Sequence, residues 1–287
     1  MDTRLVVIVL LAQCRACKGA PETGEDVAII DSDDVDDSAA GSASGDAAPL
    51  ERALWVWDVP FGDATAEVEL VETAVSSGFN TLYLSDYVPE ASHHRLLERA
   101  HTAGLRVVAL AGDPNWVERP GRAALHVEAV NAFNHGGERY DAIQHDTEFY
   151  LLAGWSTSRA TVLSKYLDET GKAAAASEVP YTVALPFWLA ADEYRSIAAR
   201  VDGVALMAYR DSAAAVIDVA KDEVAGPVGC VVGVELNPSR EPEYVTFYEE
   251  GPEAMLDALD QVEERFAGEV NFRGVAVHDA AAWKASL

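Results

Sequence analysis

The chain has 287 residues, with 48 Asp and Glu against 21 Lys and Arg, for a formal net charge of −27. A body this acidic repels nucleic acid and anionic membrane surfaces. Its mean hydropathy near zero argues against a polytopic membrane protein, while a 49% hydrophobic share is enough for one large buried core.

The first segment, residues 1–17, reads as a leader. Arg4 precedes an apolar run at 5–12, too short to span a bilayer and suited to a signal-peptide core. Leu11-Ala12-Gln13-Cys14 resembles a bacterial lipoprotein cleavage box, with Gln13 where that pattern prefers Gly or Ala. The expectation is export, either as a cell-envelope lipoprotein anchored through Cys14 or as a secreted protein with an ordinary signal peptide. A lipid anchor is the only membrane contact expected. Cys14-x-x-Cys17 has no second pair to complete a zinc site, and Cys230, within an apolar run, reads as a small buried hydrophobe. Residues 18–50 are rich in Asp, Ser, Gly and Ala, cannot bury enough apolar surface to offset their ordering entropy, and read as a disordered acidic linker.

From residue 51 onward the pattern is that of one domain. Short β-rich runs at 54–58, 80–84, 105–111, 141–146, 181–186, 203–208, 228–234 and 273–278 alternate with amphipathic segments at 65–77, 91–103, 122–134, 157–175, 191–200, 212–224 and 252–267. Gly78 and Gly104 stand where helices stop. Eight strand–helix units close most simply into an α/β (β/α)8 TIM barrel. A doubly wound sheet is the alternative, but no glycine-rich phosphate loop follows an early strand.

In such barrels the chemistry lies where the strands end. These ends carry Trp57-Asp58, Ser85-Asp86-Tyr87, Asp113, Asp146-Thr-Glu148, Phe187-Trp188, Tyr209-Arg210-Asp211, Glu235-Leu-Asn237 and His278-Asp279. Aromatic faces stack on sugar rings and carboxylates handle hydroxyls and glycosidic oxygens, so the rim points to carbohydrate. Asp58, Asp86 and Asp113 taken singly read as caps or loop residues. Asp146 and Glu148 differ: strand alternation puts Gln144, Asp146 and Glu148 on the inner face, and each carboxylate raises the other's pKa, which a general acid needs. His145, of opposite parity, belongs behind the barrel. His93, His94, His101, His126 and His135 fall on helices or helix ends and read as surface residues.

Asp141-Ala-Ile-Gln144-His-Asp146-Thr-Glu148 resembles the D-x-x-D-x-D-x-E signature of glycoside hydrolase family 18, the chitinase-like barrels, with Gln144 in place of one Asp. Met207-Ala-Tyr209 resembles that family's Met-x-Tyr-Asp on strand 6, with Arg210 in place of the Asp and Asp211 one position later. Residues 54–287 are also similar to a group of bacterial hydrolase-like barrels with a Met-Ala-Tyr-Arg-Asp strand 6, a Gly-Val-Glu-x-Asn-Pro strand 7 and an His-Asp…Trp end, here His278-Asp279 and Trp283. The resemblance implies a glycosidase acting on a poly- or oligosaccharide without a cofactor. Glu148 would be general acid/base and Asp146 its partner. Either the substrate's own N-acetyl group attacks, positioned by Tyr209 and Asp146, or Glu235 is a covalent nucleophile. Substrate contacts are expected from Trp57, Asp58, Gln144, Trp188, Asp211, Asn237, His278 and Asp279. Two other readings remain: a metal-dependent isomerase or phosphodiesterase with Asp146, Glu148, Glu235, His278 and Asp279 around a divalent cation, and a non-catalytic carbohydrate-binding barrel, which Gln144 and Arg210 invite. The loop at 237–251 reads either as a cover for the site or as packed structure.

Overall fold

The computed structural model describes residues 49–239 and 242–287. The expected leader, its Cys14 and nearly all of the acidic linker lie outside them. The described residues form a closed barrel of eight parallel strands in sequential order. The order of elements is β1 (Glu51–Val56), α1 (Ala64–Ser76), β2 (Thr81–Ser85), α2 (His94–Thr102), β3 (Arg106–Ala111), α3 (Arg122–Asn134), β4 (Ala142–His145), α4 (Trp155–Ala176), β5 (Tyr181–Pro186), α5 (Ala191–Ala198), β6 (Gly203–Met207), α6 (Ala213–Val224), β7 (Gly229–Glu235), α7 (Gly251–Phe266), β8 (Phe272–His278) and α8 (Ala280–Ser286). β1 pairs with both β2 and β8, which closes the ring. The (β/α)8 expectation is met.

The outward faces of the strands pack on the helices and form the larger core, which includes Leu54, Leu82, Val107, Ile143, Val183, Val204, Val232 and Val277. Both strand faces are therefore apolar, as parallel sheets covered by helices require. The inner face is filled by Ala53, Trp55, Tyr83, Val108, Leu110, Ala142, Ala205, Val231 and Ala276. The small residues make room for the large rings. A Cβ at Gly233 would stand 2.8 Å from the Trp55 ring, so glycine at that point of β7 is what lets an indole lie across the interior.

The helices begin and end on local chemistry. Asp63 caps α1 by accepting from the Thr65 and Ala66 amides. Gly78 takes a φ of +80°, a left-handed conformation that only glycine adopts freely, and turns the chain from α1 into β2.

β1 starts at Glu51, three residues before the hydrophobic run that marked it, because its first side chains pair inside the barrel floor. Arg106 donates to Glu51 at 2.8 Å and the Tyr83 hydroxyl also donates to Glu51. A strand that opens on a polar network carries no apolar signature. Cys230 is buried and unpaired, as expected of a small hydrophobe. Among the described residues no helix is long and apolar enough to cross a membrane.

Candidate active site

The strand ends converge on a half-buried mouth with two halves. The first hangs from β4. That strand stops at His145, so alternation carries Gln144 and Asp146 inward but does not reach Glu148. Glu148 is instead placed by a turn: its backbone is left-handed, φ +44°, ahead of a short 3₁₀ turn at Phe149–Leu151. A non-glycine residue in this conformation is strained, and such strain is found at working sites. The turn closes a bond 2.9 Å long from the Tyr150 hydroxyl to Glu148 Oε1. Tyr150 in turn meets Trp188 edge to face, with ring centroids 5.1 Å apart.

Asp146 is fixed by its backbone. Its amide donates to the Ala111 carbonyl at 2.9 Å. Gly112 lies so close that a Cβ there would sit 1.9 Å from the Asp146 carbonyl oxygen. The Asp146 side chain opens partly to the mouth, while its Oδ1 is closed off and has no hydrogen-bond partner among the described residues. Burial, followed by the charge of Glu148, pushes the Asp146 carboxyl up to about 8, against the pull of His278. Burial also raises Glu148, while the Tyr150 bond and His278 draw it down. At neutral pH the two carboxyls behave as a pair that keeps at least one proton.

The second half joins β7, β8 and β1. Glu235 Oε1 accepts from the Leu236 and Asn237 amides at 2.9 and 2.7 Å and from Asn237 Nδ2 at 2.9 Å. Glu235 Oε2 and His278 Nδ1 are 2.9 Å apart. Trp57 Nε1 donates to His278 Nε2 at 2.7 Å. Burial works upward on Glu235, but His278 and Asn237 outweigh it and hold the carboxyl below its ordinary value. Tyr209, at the end of β6, stands near both halves. Its ring centroid is 6.1 Å from that of His278, and burial followed by the charges of Glu235, Asp146 and Glu148 holds its hydroxyl protonated. Asp279 lies beside His278 and caps α8 through the Ala282 amide at 3.0 Å.

Several expected contacts fall elsewhere. Gln144 is 1% exposed and accepts from Trp55 Nε1 at 2.9 Å, one layer below the mouth. Asp58 is exposed on the rim and Asp211 is half-exposed beside Arg210; neither joins the two halves. Asp86, read as a cap, is buried and accepts from the Tyr140 hydroxyl at 2.7 Å, with His93 Nδ1 at 2.8 Å from the same oxygen. His93 and His126, read as surface residues, are buried as well. His126 meets His145 at 2.9 Å, and His145 meets the Tyr181 hydroxyl at 2.8 Å, behind β4 as its parity required. Trp283 is structural, donating to Ser77 Oγ at 2.9 Å. The loop after β7 is packed at Phe247, 1% exposed, and Thr246 Oγ1 donates to the Asn237 carbonyl at 2.7 Å. Arg210 lies 4.2 Å over the Phe187 ring and 5.6 Å from the Tyr244 ring centroid.

Tyr150 and Tyr87 are site residues that sequence reasoning did not select. Tyr150 was legible only as an aromatic two places after Glu148. Tyr87 donates to the Gly112 carbonyl, and its hydroxyl is raised by burial and then by the nearby Asp146, Asp113 and Glu148 charges. Among the described residues no three His, Cys, Asp or Glu side chains are disposed around one point as a bound metal needs. Two open grooves of about 630 and 470 Å3 lie on the outer helices, along α4 and between α1 and α2, and neither is lined by mouth residues.

No family model matches the chain, and no curated protein matches its sequence. Solved structures do match at the level of fold. A chitinase from Rhizomucor miehei aligns with a TM-score of 0.52 at 13% identity, over 81% of this chain and 95% of the chitinase. A xylanase and amylase inhibitor protein aligns at 0.54 and 12% identity, over 83% and 96%. A β-galactosidase from the psychrophilic Marinomonas ef1 aligns at 0.55 and 9% identity, over 80% and 54%. The chain therefore has a barrel fold similar to that of glycoside hydrolases. Because the same fold serves an enzyme and an inhibitor protein, activity has to be argued from the site.

Proposed function

We propose that this barrel is a glycoside hydrolase acting on a poly- or oligosaccharide, with Glu148 as the general acid. The observation that carries the reading is the Asp146–Glu148 pair: two carboxyls at the end of one strand, both pushed up by burial, with Asp146 holding a proton up to about pH 8. Burial raises Glu148 as well, and an upward shift of this kind is what protonation of a glycosidic oxygen requires of a carboxyl. When Glu148 gives up its proton, the new carboxylate lies beside a neutral Asp146 instead of a second charge. The Tyr150 hydroxyl, 2.9 Å from Glu148 Oε1, stabilises the same anion. Trp57 and Trp188 flank the mouth as half-exposed rings suited to a sugar face.

The test compares the full-length wild type with Glu148→Gln on a panel of β-linked and amino-sugar oligosaccharides, with and without chelator. Cleavage by the wild type, a loss of kcat of about 10²–10⁴-fold in the variant and indifference to chelator support the reading. Binding without cleavage, unchanged in the variant, would make the protein a carbohydrate-binding barrel. Activity abolished by chelator and restored by a metal would move the metal-dependent reading ahead.

A further inference from the structure

The Glu235 carboxylate is fully engaged in the resting site. Three N–H donors converge on Oε1 and the imidazole of His278 on Oε2. A carboxylate satisfied in this way is a weak nucleophile and a good orienting group: it fixes a proton on Nδ1 of the imidazole and leaves the lone pair on Nε2. That lone pair is accounted for. Trp57 Nε1 carries a hydrogen and can only donate, and it stands 2.7 Å from His278 Nε2. Two N–H groups do not meet at that distance, so the imidazole in this arrangement is neutral.

The topology adds the second half of the argument. The barrel closes as β1 through β8 in order, so β8 is four places from β4 in either direction. His278 therefore faces Glu148 across the mouth, and no direct hydrogen bond joins their side chains. An acid and a base on opposed strands, not bonded to each other, suit a reaction in which a water attacks one face of a sugar while the leaving group departs from the other.

We infer that His278 is the general base of this site, that Glu235 is the residue that positions it, and that the Trp57 N–H covers Nε2 until substrate arrives. The inference rests on the glycosidase reading and makes the reaction an inverting one. Trp57 turns onto the sugar and a water takes its place at Nε2. As the water oxygen bonds to the anomeric carbon, His278 Nε2 accepts its proton. The bond from that carbon to the leaving oxygen breaks with the electron pair on oxygen, which takes the proton of Glu148. The proton gained by His278 and the one lost by Glu148 then exchange with solvent. Every charged group around the imidazole favours this uptake. Burial opposes protonation of His278, but Glu235, Asp279 and Asp146 by themselves would hold its pKa up to about 9; the Trp57 N–H at Nε2, which leaves no room for a second proton there, works against them. The Trp57 N–H holds that pull off in the resting arrangement, and the base takes a proton readily once Trp57 has moved. The other neighbours, Trp55, Tyr209 and Asn237, are uncharged.

The first test needs no sugar. Nitrogen NMR of the full-length protein, with the His278 signals assigned by their loss in His278→Gln, should show a neutral imidazole protonated on Nδ1 at pH 7. Trp57→Phe should raise its pKa by a unit or more, and Glu235→Gln should lower it by a unit or more. Protonation of Nε2 in the wild type, with no response to Trp57→Phe, overturns the proposal. The second test uses the sugar identified through Glu148. His278→Gln should lower kcat about 100-fold or more while KM moves less than threefold, and should remove the acid limb of the pH profile. Glu235→Asp should recover activity lost in Glu235→Gln, and the product should have inverted configuration. Retained configuration, or a covalent adduct on Glu235 from the 2-fluoro analogue of that sugar, overturns the base role and leaves Glu148 as the acid. If no sugar is cleaved, the glycosidase reading fails, and the NMR arm still decides whether Glu235 and Trp57 fix a neutral His278.

Discussion

Replacing Asp146 with Asn removes the group whose ionisation the fold opposes most directly at the mouth. In the native protein the Asp146 carboxyl is raised from 3.8 to about 8 by burial and by Glu148. The folded pKa lies above the unfolded one, so its stabilising contribution is complete below about pH 4. As pH rises from there, the unfolded chain releases the proton and the native chain keeps it, and stability falls by about 1.4 kcal/mol per pH unit until the native group ionises. Water reaching the open side of the carboxyl trims the total, which comes to about 3–5 kcal/mol between pH 4 and pH 8. The carboxamide of the Asp146→Asn variant has nearly the same shape and does not titrate. The wild type should therefore lose thermal stability from pH 4.5 to pH 9 relative to Asp146→Asn. At about 2–4 °C per kcal/mol for a domain of this size, the gap should widen by about 10 °C. Scanning calorimetry of both proteins across that range is the assay. A gap that stays constant with pH would mean that Asp146 is ionised throughout, and the argument for a stored proton would fail.

Tyr150→Phe removes the bond that lowers the Glu148 pKa, so the acid stays protonated to higher pH; the alkaline limb of kcat/KM should move up by about half a unit to one unit, and a downward move would refute the assignment. Gly112→Ala drives a methyl group into the Asp146 carbonyl, so it should cost about 1–3 kcal/mol of stability and most of the activity, whereas Gly268→Ala, where nothing lies within 4 Å, should leave activity unchanged. Burial lowers the pKa of both His126 and His145, so the stability they contribute is complete above about pH 6.5 and is lost as pH falls toward their folded values. Below about pH 6 the stability curve of His145→Gln should be shallower than that of the wild type by about one proton, read from urea unfolding at a series of pH values.

Most of the barrel could be read from periodicity because its physics is repetitive. Strands covered on both faces must be apolar throughout, and helices must carry one apolar stripe, so each unit announces itself. The failures have a common cause. Asp86, His93 and His126 are polar residues buried among polar partners, Glu51 is half-buried against Arg106 and Tyr83, and pairing across the fold leaves no mark on local hydrophobicity. The number of strands was legible, and with it the fact that β4 and β8 stand opposite each other. What could not be read was how each carboxylate at the mouth is bonded.

Glu148 was selected by an alternation that in fact ends at His145; the chain reaches the mouth by a left-handed turn whose strain no composition reveals. Glu235 was selected because it closes a strand, yet its role depends on two backbone amides, those of Leu236 and Asn237, curling back onto its own oxygen. The same residue type at two strand ends therefore has opposite chemistry. Where the turn supplies one hydroxyl and no backbone donor, burial raises the carboxyl, as a general acid needs. Where the turn supplies donors, the carboxyl is held below its ordinary value, and in the proposed mechanism its work passes to the imidazole it orients. The difference between the two glutamates is written in the backbone of two short loops, and the proposed division of labour follows from it.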